Sequence, residues 1–306
     1  MLDIRQLETF LAVIETQSFR DAARRLGCAQ PTVSQHIRKL ERSLGTTLVE
    51  RSASGCAATR AGEVLMPYAK SLLRISRRAV SALSQRKLVV GASGNIGTYI
   101  LPDIIARFDC GPHRVPVEIL IEPNPQTAER LTTAEIDVAL LEWWDGRSGF
   151  DAVRWRHEPL VVIVSPHHPW AQRENVPAAA LADATMLGGE PGTGTGRLLQ
   201  EALGKSGWQP REMRQLGSTE AVKRAVRAGL GVSIVMASSV VDEVMSGALR
   251  ALPIADAELG KTLYAAYREH MPATSPVGLF VETLLAFRNA ALWPAGLNPV
   301  HDQPSD

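Results

Sequence analysis

The chain has 306 residues, 45% of them hydrophobic and 21% charged, which is long enough for two or three domains and has the balance of a soluble globular protein. It has neither an apolar run long enough to span a membrane nor a signal peptide, so a cytoplasmic protein with no membrane partner is expected. Cys28, Cys56 and Cys110 are widely spaced and form neither a disulfide framework nor a CxxC zinc pattern, so they are expected to be reduced and structural. The net charge of +1 hides an asymmetry. Residues 1–87 hold 15 Lys and Arg against 7 Asp and Glu, whereas residues 88–306 hold 18 against 25. A basic first segment on a mildly acidic remainder suits nucleic-acid binding by that segment alone.

A first helix begins just after Asp3, with Ile4, Leu7, Leu11 and Ile14 at helical spacing. Ser18 with Asp21 is a helix-start signal, and Phe19, Ala22, Ala23 and Leu26 then line one face. Gly27 stands where a left-handed stop is expected. The chain restarts at Gln30-Pro31, where proline suits a first helical turn. Val33, Ile37, Leu40 and Leu44 are the expected buried stripe of this helix, and Pro31, Gln35, Arg38 and Arg42 point the other way. Two helices with such a turn can place the second in the major groove of DNA, where Gln and Arg read base edges and Arg or Lys hold phosphates.

The strings SFxxAARxL at 18–26, QPxVSxxIxxLE at 30–41, LGxxLxxR at 44–51 and TRAG at 59–62 together resemble the N-terminal domain of LysR-type transcriptional regulators. The resemblance extends to about residue 290. It implies DNA contacts from Gln30, Pro31, Thr32, Ser34, Gln35 and Arg38 on the second helix and from Arg51 on the wing. The wing is expected as strands at 46–51 and 57–59 around a tip at 52–56. Val49, Ala58 and Arg60 stand where the family usually has Phe, Leu and Pro, and the tip lacks the basic residues frequent there.

A long helix is expected over about 60–83, with Thr59 as N-cap and Glu63 in the first turn. Leu65, Tyr68, Leu72, Ile75, Ala79 and Ala82 alternate in steps of three and four, a coiled-coil-like seam. The resemblance implies a linker helix that pairs with its copy, and Pro67 is expected to kink it.

From Lys87 the pattern becomes strand–helix alternation, implying an α/β fold with a mostly parallel sheet. Strands are expected at 88–91, 115–121, 137–141, 160–165, 185–188, 231–236 and 263–267. Helices are expected at 97–108, 126–133, after Gly196, and at 219–228 and 276–287. The resemblance implies two lobes like a periplasmic binding protein, with crossovers near 142–144, 159–166 and 265–268.

Three loops at strand C-terminal ends open helices: 92–95, 190–196 and 217–219. Ligands bind at such ends of open α/β sheets, and helix N-termini with Ser and Thr hydroxyls favour anions. The candidate effector contacts are Ser93, Gly94, Asn95, Thr193, Thr195 and Thr219. GASGNIGTYILP and EPGTGTGR are similar to the GASTTIGxYLLP and EPGSGTR strings of the Calvin-cycle and sulfur-metabolism regulator subgroup, which implies a small anionic effector. PGTGTGR lacks the Gly-Lys-Ser/Thr ending of a phosphate loop and fails GxGxxG at Arg197. There is no HExxH, His167 and His168 point to opposite faces of a strand, and no Ser/His/Asp set has a recognisable context.

The expected architecture is thus a winged helix–turn–helix at 1–59, a linker and dimerisation helix at 60–86, and a two-lobed α/β effector domain at 87–292, with a disordered tail at 293–306. Lobe I takes about 87–160 and 266–292, and lobe II about 161–265. The expected function is transcriptional regulation, with double-stranded DNA, a second copy of the chain (a dimer of dimers) and a small-molecule effector as partners, and with no catalytic residues, metal or cofactor. The alternative is a small-molecule binding protein or enzyme with an accessory helical domain.

Overall fold

The computed structural model describes residues 2–52, 55–83, 87–111, 115–188, 195, 198 and 212–287. It falls into two units, Met1–Ser84 and Gln85–Asp306.

The first unit is three short helices, a two-stranded wing and a long helix. Helix α1 (Ile4–Thr16) starts where the Asp3 carboxylate accepts from the amide of Arg5 at 2.8 Å. Helix α2 (Phe19–Leu26) is capped by Ser18 and ends at Gly27, whose φ of 63° is the left-handed stop expected there. Helix α3 (Gln30–Leu44) carries Pro31 in its first turn. Val33, Ile37 and Leu40 are buried against Leu7, Phe10 and Val13 of α1 and Ala22 and Ala23 of α2. Leu44, expected in the same stripe, is 40% exposed, because it is the last helical residue before the reversal at Gly45. Strands β1 (Val49–Ser52) and β2 (Gly55–Ala58) form the antiparallel wing.

Helix α4 (Arg60–Leu83) begins with the amide of Gly62 donating to the Thr59 hydroxyl at 3.1 Å. A Cβ on Gly62 would lie 2.3 Å from the Leu48 carbonyl oxygen, which explains a glycine in the TRAG string. Ala69 and Leu73 face the unit's own core, and Leu65 and Leu72 are partly buried against it. Of the expected seam, Tyr68 is 65% exposed and Ile75 38%, and Val64 joins them. The exposed apolar stripe of α4 is therefore rotated from Leu65 and Leu72 toward Val64, Tyr68 and Ile75.

The second unit is built on β3 (Leu88–Ala92), β4 (Val117–Ile121), β5 (Val138–Leu141), β6 (Phe150–Val164), β9 (Ser233–Met236), β10 (Arg250–Leu252) and β11 (Gly260–Arg268). The order is β10-β6-β11-β5-β3-β4, with β9 also on β6. A further pair, β7 (Thr185–Gly188) with β8 (Glu212–Gln215), is parallel. Strand β3 is parallel to β4 and β5, but β6, β9, β10 and β11 pair antiparallel, so the expected mostly parallel sheet is mixed. The expected helix at 97–108 is two, α5 (Gly94–Tyr99) and α6 (Leu101–Asp109), because Pro102 opens the first turn of a new one. Helices α7 (Asn124–Thr132), α8 (Thr219–Arg227), α9 (Val241–Met245) and α10 (Pro276–Phe287) complete the described elements used below.

Strand β6 links the lobes. Its residues 150–159 pair with β11, and 160–164 pair with β9 and β10. The return crossing lies at Leu259–Gly260, where the Leu160 amide donates to the Leu259 carbonyl at 2.8 Å. Strand β11 belongs wholly with the first lobe, since Tyr264–Tyr267 pair with β5. The expected crossovers at 142–144 and 265–268 are thus corrected: Glu142–Trp144 follow β5 without changing lobe. One apolar cluster runs through the crossing, joining Val90, Val138 and Phe280 of the first lobe to Val162, Met186 and Leu252 of the second. Among the described residues no helix is long and apolar enough to cross a membrane.

Candidate functional sites

The candidate DNA-facing surface is the outer side of α3. Gln30, Pro31, Gln35 and Arg38 are exposed, and Thr32 and Ser34 are half-buried beside them. Arg51 lies on β1, opposite Cys56; its side chain is outside the described residues. Two of the three arginines of α2 are engaged, Arg24 with Asp21 at 3.2 Å and Arg25 with Glu15 at 2.6 Å. Among the described residues Arg38 and Arg42 make no ion pair, so their charge is available to phosphates.

Two residues that position this helix were not anticipated. The Glu41 carboxylate accepts from the amides of Leu48 at 2.8 Å and Val49 at 3.3 Å, tying α3 to the wing. His36 is held by Thr9 of α1 through Nδ1 at 2.9 Å. The Thr9 hydroxyl gives its hydrogen to the Arg5 carbonyl, so His36 Nδ1 is the donor and the ring's tautomer follows. The wing is also anchored through the backbone, the Cys56 amide donating to the Gln17 carbonyl at 2.9 Å.

In the second unit, Ser93, Asn95 and Thr219 come together around Glu142. Ser93 follows β3 and is buried; it does not cap α5 with its side chain but donates its hydroxyl to Glu142 Oε1 at 3.4 Å. Asn95 Nδ2 donates to the same oxygen at 3.1 Å. A carboxylate only accepts, so the amide nitrogen must face it, and Asn95 Oδ1 is left to accept the Thr219 hydroxyl at 2.7 Å. Thr219 is free for this because Ser218 caps α8, accepting from the Ala221 amide. Glu142 Oε2 pairs with Lys261 of β11, and both side chains are almost completely buried. Asn124 fixes the backbone of the same turn, accepting from the Glu142 amide at 2.7 Å and donating to the Trp143 carbonyl at 3.2 Å.

Gly94 opens α5 between the two donors. Thr195 is helical and half-buried. Thr193 and most of the helix expected after Gly196 lie outside the described residues. Lys261 and Asn124 were missed, since a single lysine or asparagine carries no sequence pattern of its own.

A second set of contacts crosses between the lobes beside the first. The Tyr99 hydroxyl of α5 donates to Glu220 of α8 at 2.7 Å, and Lys223 lies 4.8 Å from the Tyr99 ring centre. Lys223 also pairs with Glu220 and Glu243 and donates to the Ser239 carbonyl at 3.0 Å. Burial pushes the Tyr99 hydroxyl up, and the adjoining Glu220 pushes it further. Burial raises the Glu220 carboxyl, but the bonds from Lys223 and Tyr99 outweigh it and hold the group below the usual carboxylate range.

The cluster is charge-balanced and hydrogen-bonded across the two lobes. Among the described residues no group of three or more His, Cys, Asp or Glu could hold a metal. His168 accepts from the Trp170 amide at 3.2 Å and packs edge-on to its ring, a local turn contact.

Comparison with known proteins agrees with the fold. The family model "Bacterial regulatory helix-turn-helix protein, lysR family" matches residues 4–63, and "LysR substrate binding domain" matches 81–288. The chain is 45% identical over 196 residues to the putative HTH-type transcriptional regulator protein PtxE of Stutzerimonas stutzeri, covering 64% of this chain and 100% of that one. It is 28% identical over 290 residues to the RuBisCO operon transcriptional regulator of Allochromatium vinosum, covering 93% and 96%. A full-length OxyR variant from Pseudomonas aeruginosa shares the fold with a TM-score of 0.68 at 24% identity, over 99% of both chains. The chain belongs to the LysR family of transcriptional regulators, with a DNA-binding helix–turn–helix and an effector-binding domain.

Proposed function

We propose that this regulator binds pseudo-palindromic DNA as a homo-oligomer, a dimer of dimers, and that a small anionic effector seated between the lobes controls it. In this reading residues 1–59 bind DNA and residues 60–86 pair two copies through Tyr68 and Ile75. Gln30, Pro31, Thr32, Ser34, Gln35 and Arg38 face the major groove and Arg51 a phosphate. The effector contacts are Ser93, Gly94, Asn95 and Thr219, with Thr193 and Thr195 from the segment 190–196 and Lys261 as the buried positive charge.

The observation that supports this most is the Thr219–Asn95 hydrogen bond, which joins the two lobes at the cluster that carries the buried ion pair. A molecule inserted there meets both lobes at once. It shifts their closure by as much as its affinity differs between open and closed forms. Closure then changes the disposition of the DNA-binding domains.

Calorimetry of the full chain against small carboxylates, phosphate esters, inorganic oxyanions and neutral metabolites tests the effector reading. The expected binder is an anion with micromolar to millimolar affinity, about −8 to −4 kcal/mol. Its binding weakens in Thr219→Ala while basal DNA binding is kept. A neutral or cationic molecule as the sole binder, indifferent to Thr219→Ala, would remove the effector assignment.

A further inference from the structure

Helices α5 and α8 belong to different lobes and meet along two turns. Asn95 and Tyr99 are four residues apart on α5, and Thr219 and Lys223 four apart on α8, so each pair lies on one face of its helix. The first turn carries the Thr219–Asn95 bond at the effector cluster. The second carries Tyr99, Glu220 and Lys223, none of them among the residues assigned to the effector.

Lys223 is 6% exposed, and its own lobe fixes it from three sides. Glu220 lies at 2.5 Å, Glu243 at 2.9 Å and the Ser239 carbonyl at 3.0 Å. The second lobe thus holds a socket that is complete without the first. Tyr99 enters it from the first lobe, its ring 4.8 Å from the Lys223 ammonium and its hydroxyl 2.7 Å from Glu220. Burial and Glu220 both keep the hydrogen on that hydroxyl, so it stays a donor. Parting the lobes takes the aromatic face from the ammonium and a charge-assisted hydrogen bond from Glu220. Every other partner of Lys223 named above moves with it.

We propose that Tyr99 is a positioning residue of the effector domain: seated on Lys223 and Glu220, it holds the two lobes closed with no ligand present. The latch and the effector cluster sit on successive turns of the same two helices, so whatever parts one parts the other. If the effector reading holds, a ligand that merely prefers the closed form changes little, because the lobes are closed already. Leverage then belongs to a ligand that fits better with the lobes parted.

The test is the distance between lobes in the full chain without ligand, read by double electron–electron resonance. Spin labels go on Asp103→Cys of α6 and Met245→Cys of α9, both exposed positions. Cys28, Cys56 and Cys110 are replaced by alanine, and labelled chains are diluted with unlabelled ones so that each distance lies within one subunit. With the latch intact one narrow distance population is expected. Tyr99→Phe with Lys223→Met removes the hydroxyl and the ammonium and keeps the packing; a second population at a different distance is expected. A contact that serves only stability lowers the unfolding midpoint and leaves the distance unchanged. Amine modification of Lys223, followed by peptide mass spectrometry on chains without labels, reads rarer opening. Its rate is expected to rise about tenfold in Tyr99→Phe, and less in Glu220→Gln, which keeps an acceptor for the hydroxyl. If the double variant does not fold, this rate decides. A broad distribution with the latch intact, one unchanged distance in the double variant, or Lys223 reacting no faster in Tyr99→Phe than in wild type overturns the proposal. None of these outcomes uses a ligand, so the effector reading stands or falls separately.

Discussion

The Thr219 hydroxyl donates to Oδ1 of Asn95 at 2.7 Å, and the two residues lie on helices of different lobes. The amide of Asn95 cannot turn to escape this partner, because its nitrogen is held by Glu142. One hydroxyl on the second lobe is therefore linked through one amide to the buried ion pair of the first.

Thr219→Val keeps the shape of the side chain and removes the hydrogen. It leaves Asn95 Oδ1 short of a donor in a partly buried place and should cost about 1–3 kcal/mol. Urea unfolding of the full chain, followed through the transition of the C-terminal unit, measures this. Thr219→Ser, which keeps the hydroxyl, should recover most of the loss. Equal stability of Thr219→Val and wild type would mean that the contact contributes nothing to lobe closure.

Glu41→Ala should destabilise the first unit by about 1.5–3 kcal/mol, since two backbone amides of the wing lose a charged acceptor. Glu41→Gln should be milder, because its amide oxygen can still accept. Thermal unfolding checks both. DNA affinity should fall in Glu41→Ala even though the residue faces the wing, because α3 and the wing lose their fixed relation.

Tyr68→Glu and Ile75→Glu should each break the oligomer by placing a charge in an apolar contact between copies. Both side chains are exposed on α4, so neither change should unfold the unit. Sedimentation velocity reads the outcome. Leu73→Glu is the contrasting variant: Leu73 is buried in the unit's own core and its replacement should cause unfolding rather than simple dissociation. A Tyr68→Glu, Ile75→Glu double variant that sediments as wild type would place the partner surface elsewhere.

The helices of the first unit were legible because capping residues and apolar spacing agree at each end: Ser18 and Gly27 bound α2, and Pro31 opens α3. The first ten residues of β6 were not. Arg154, Arg156, His157 and Glu158 interrupt the apolar pattern there, and a strand reading began at Leu160, where burial becomes continuous. The same blindness hid half of the interlobe cluster. Ser93, Asn95 and Thr219 stood out as polar residues at strand ends, but Lys261 and Glu158 look like surface charges in sequence. Their burial depends on two strands meeting residue against residue, Lys261 opposite Glu158, which spacing along one strand does not reveal. The linker helix's apolar face was legible, but alternation does not say which part of it the chain keeps for itself, here Leu65 and Leu72.

The most direct test of the account is selection of bound sequences from a random DNA pool by the full chain, wild type and Gln35→Ala, at fixed salt. The predicted result is an inverted repeat whose half-sites lie about one helical turn, 10–10.5 base pairs, or a multiple of it apart. Gln35→Ala should lose preference at one base pair in each half-site, worth about 1–3 kcal/mol, while the rest of the repeat persists. Enrichment of no repeat by the wild type, or identical preferences in the two proteins, would contradict the assignment of α3 as the reading helix.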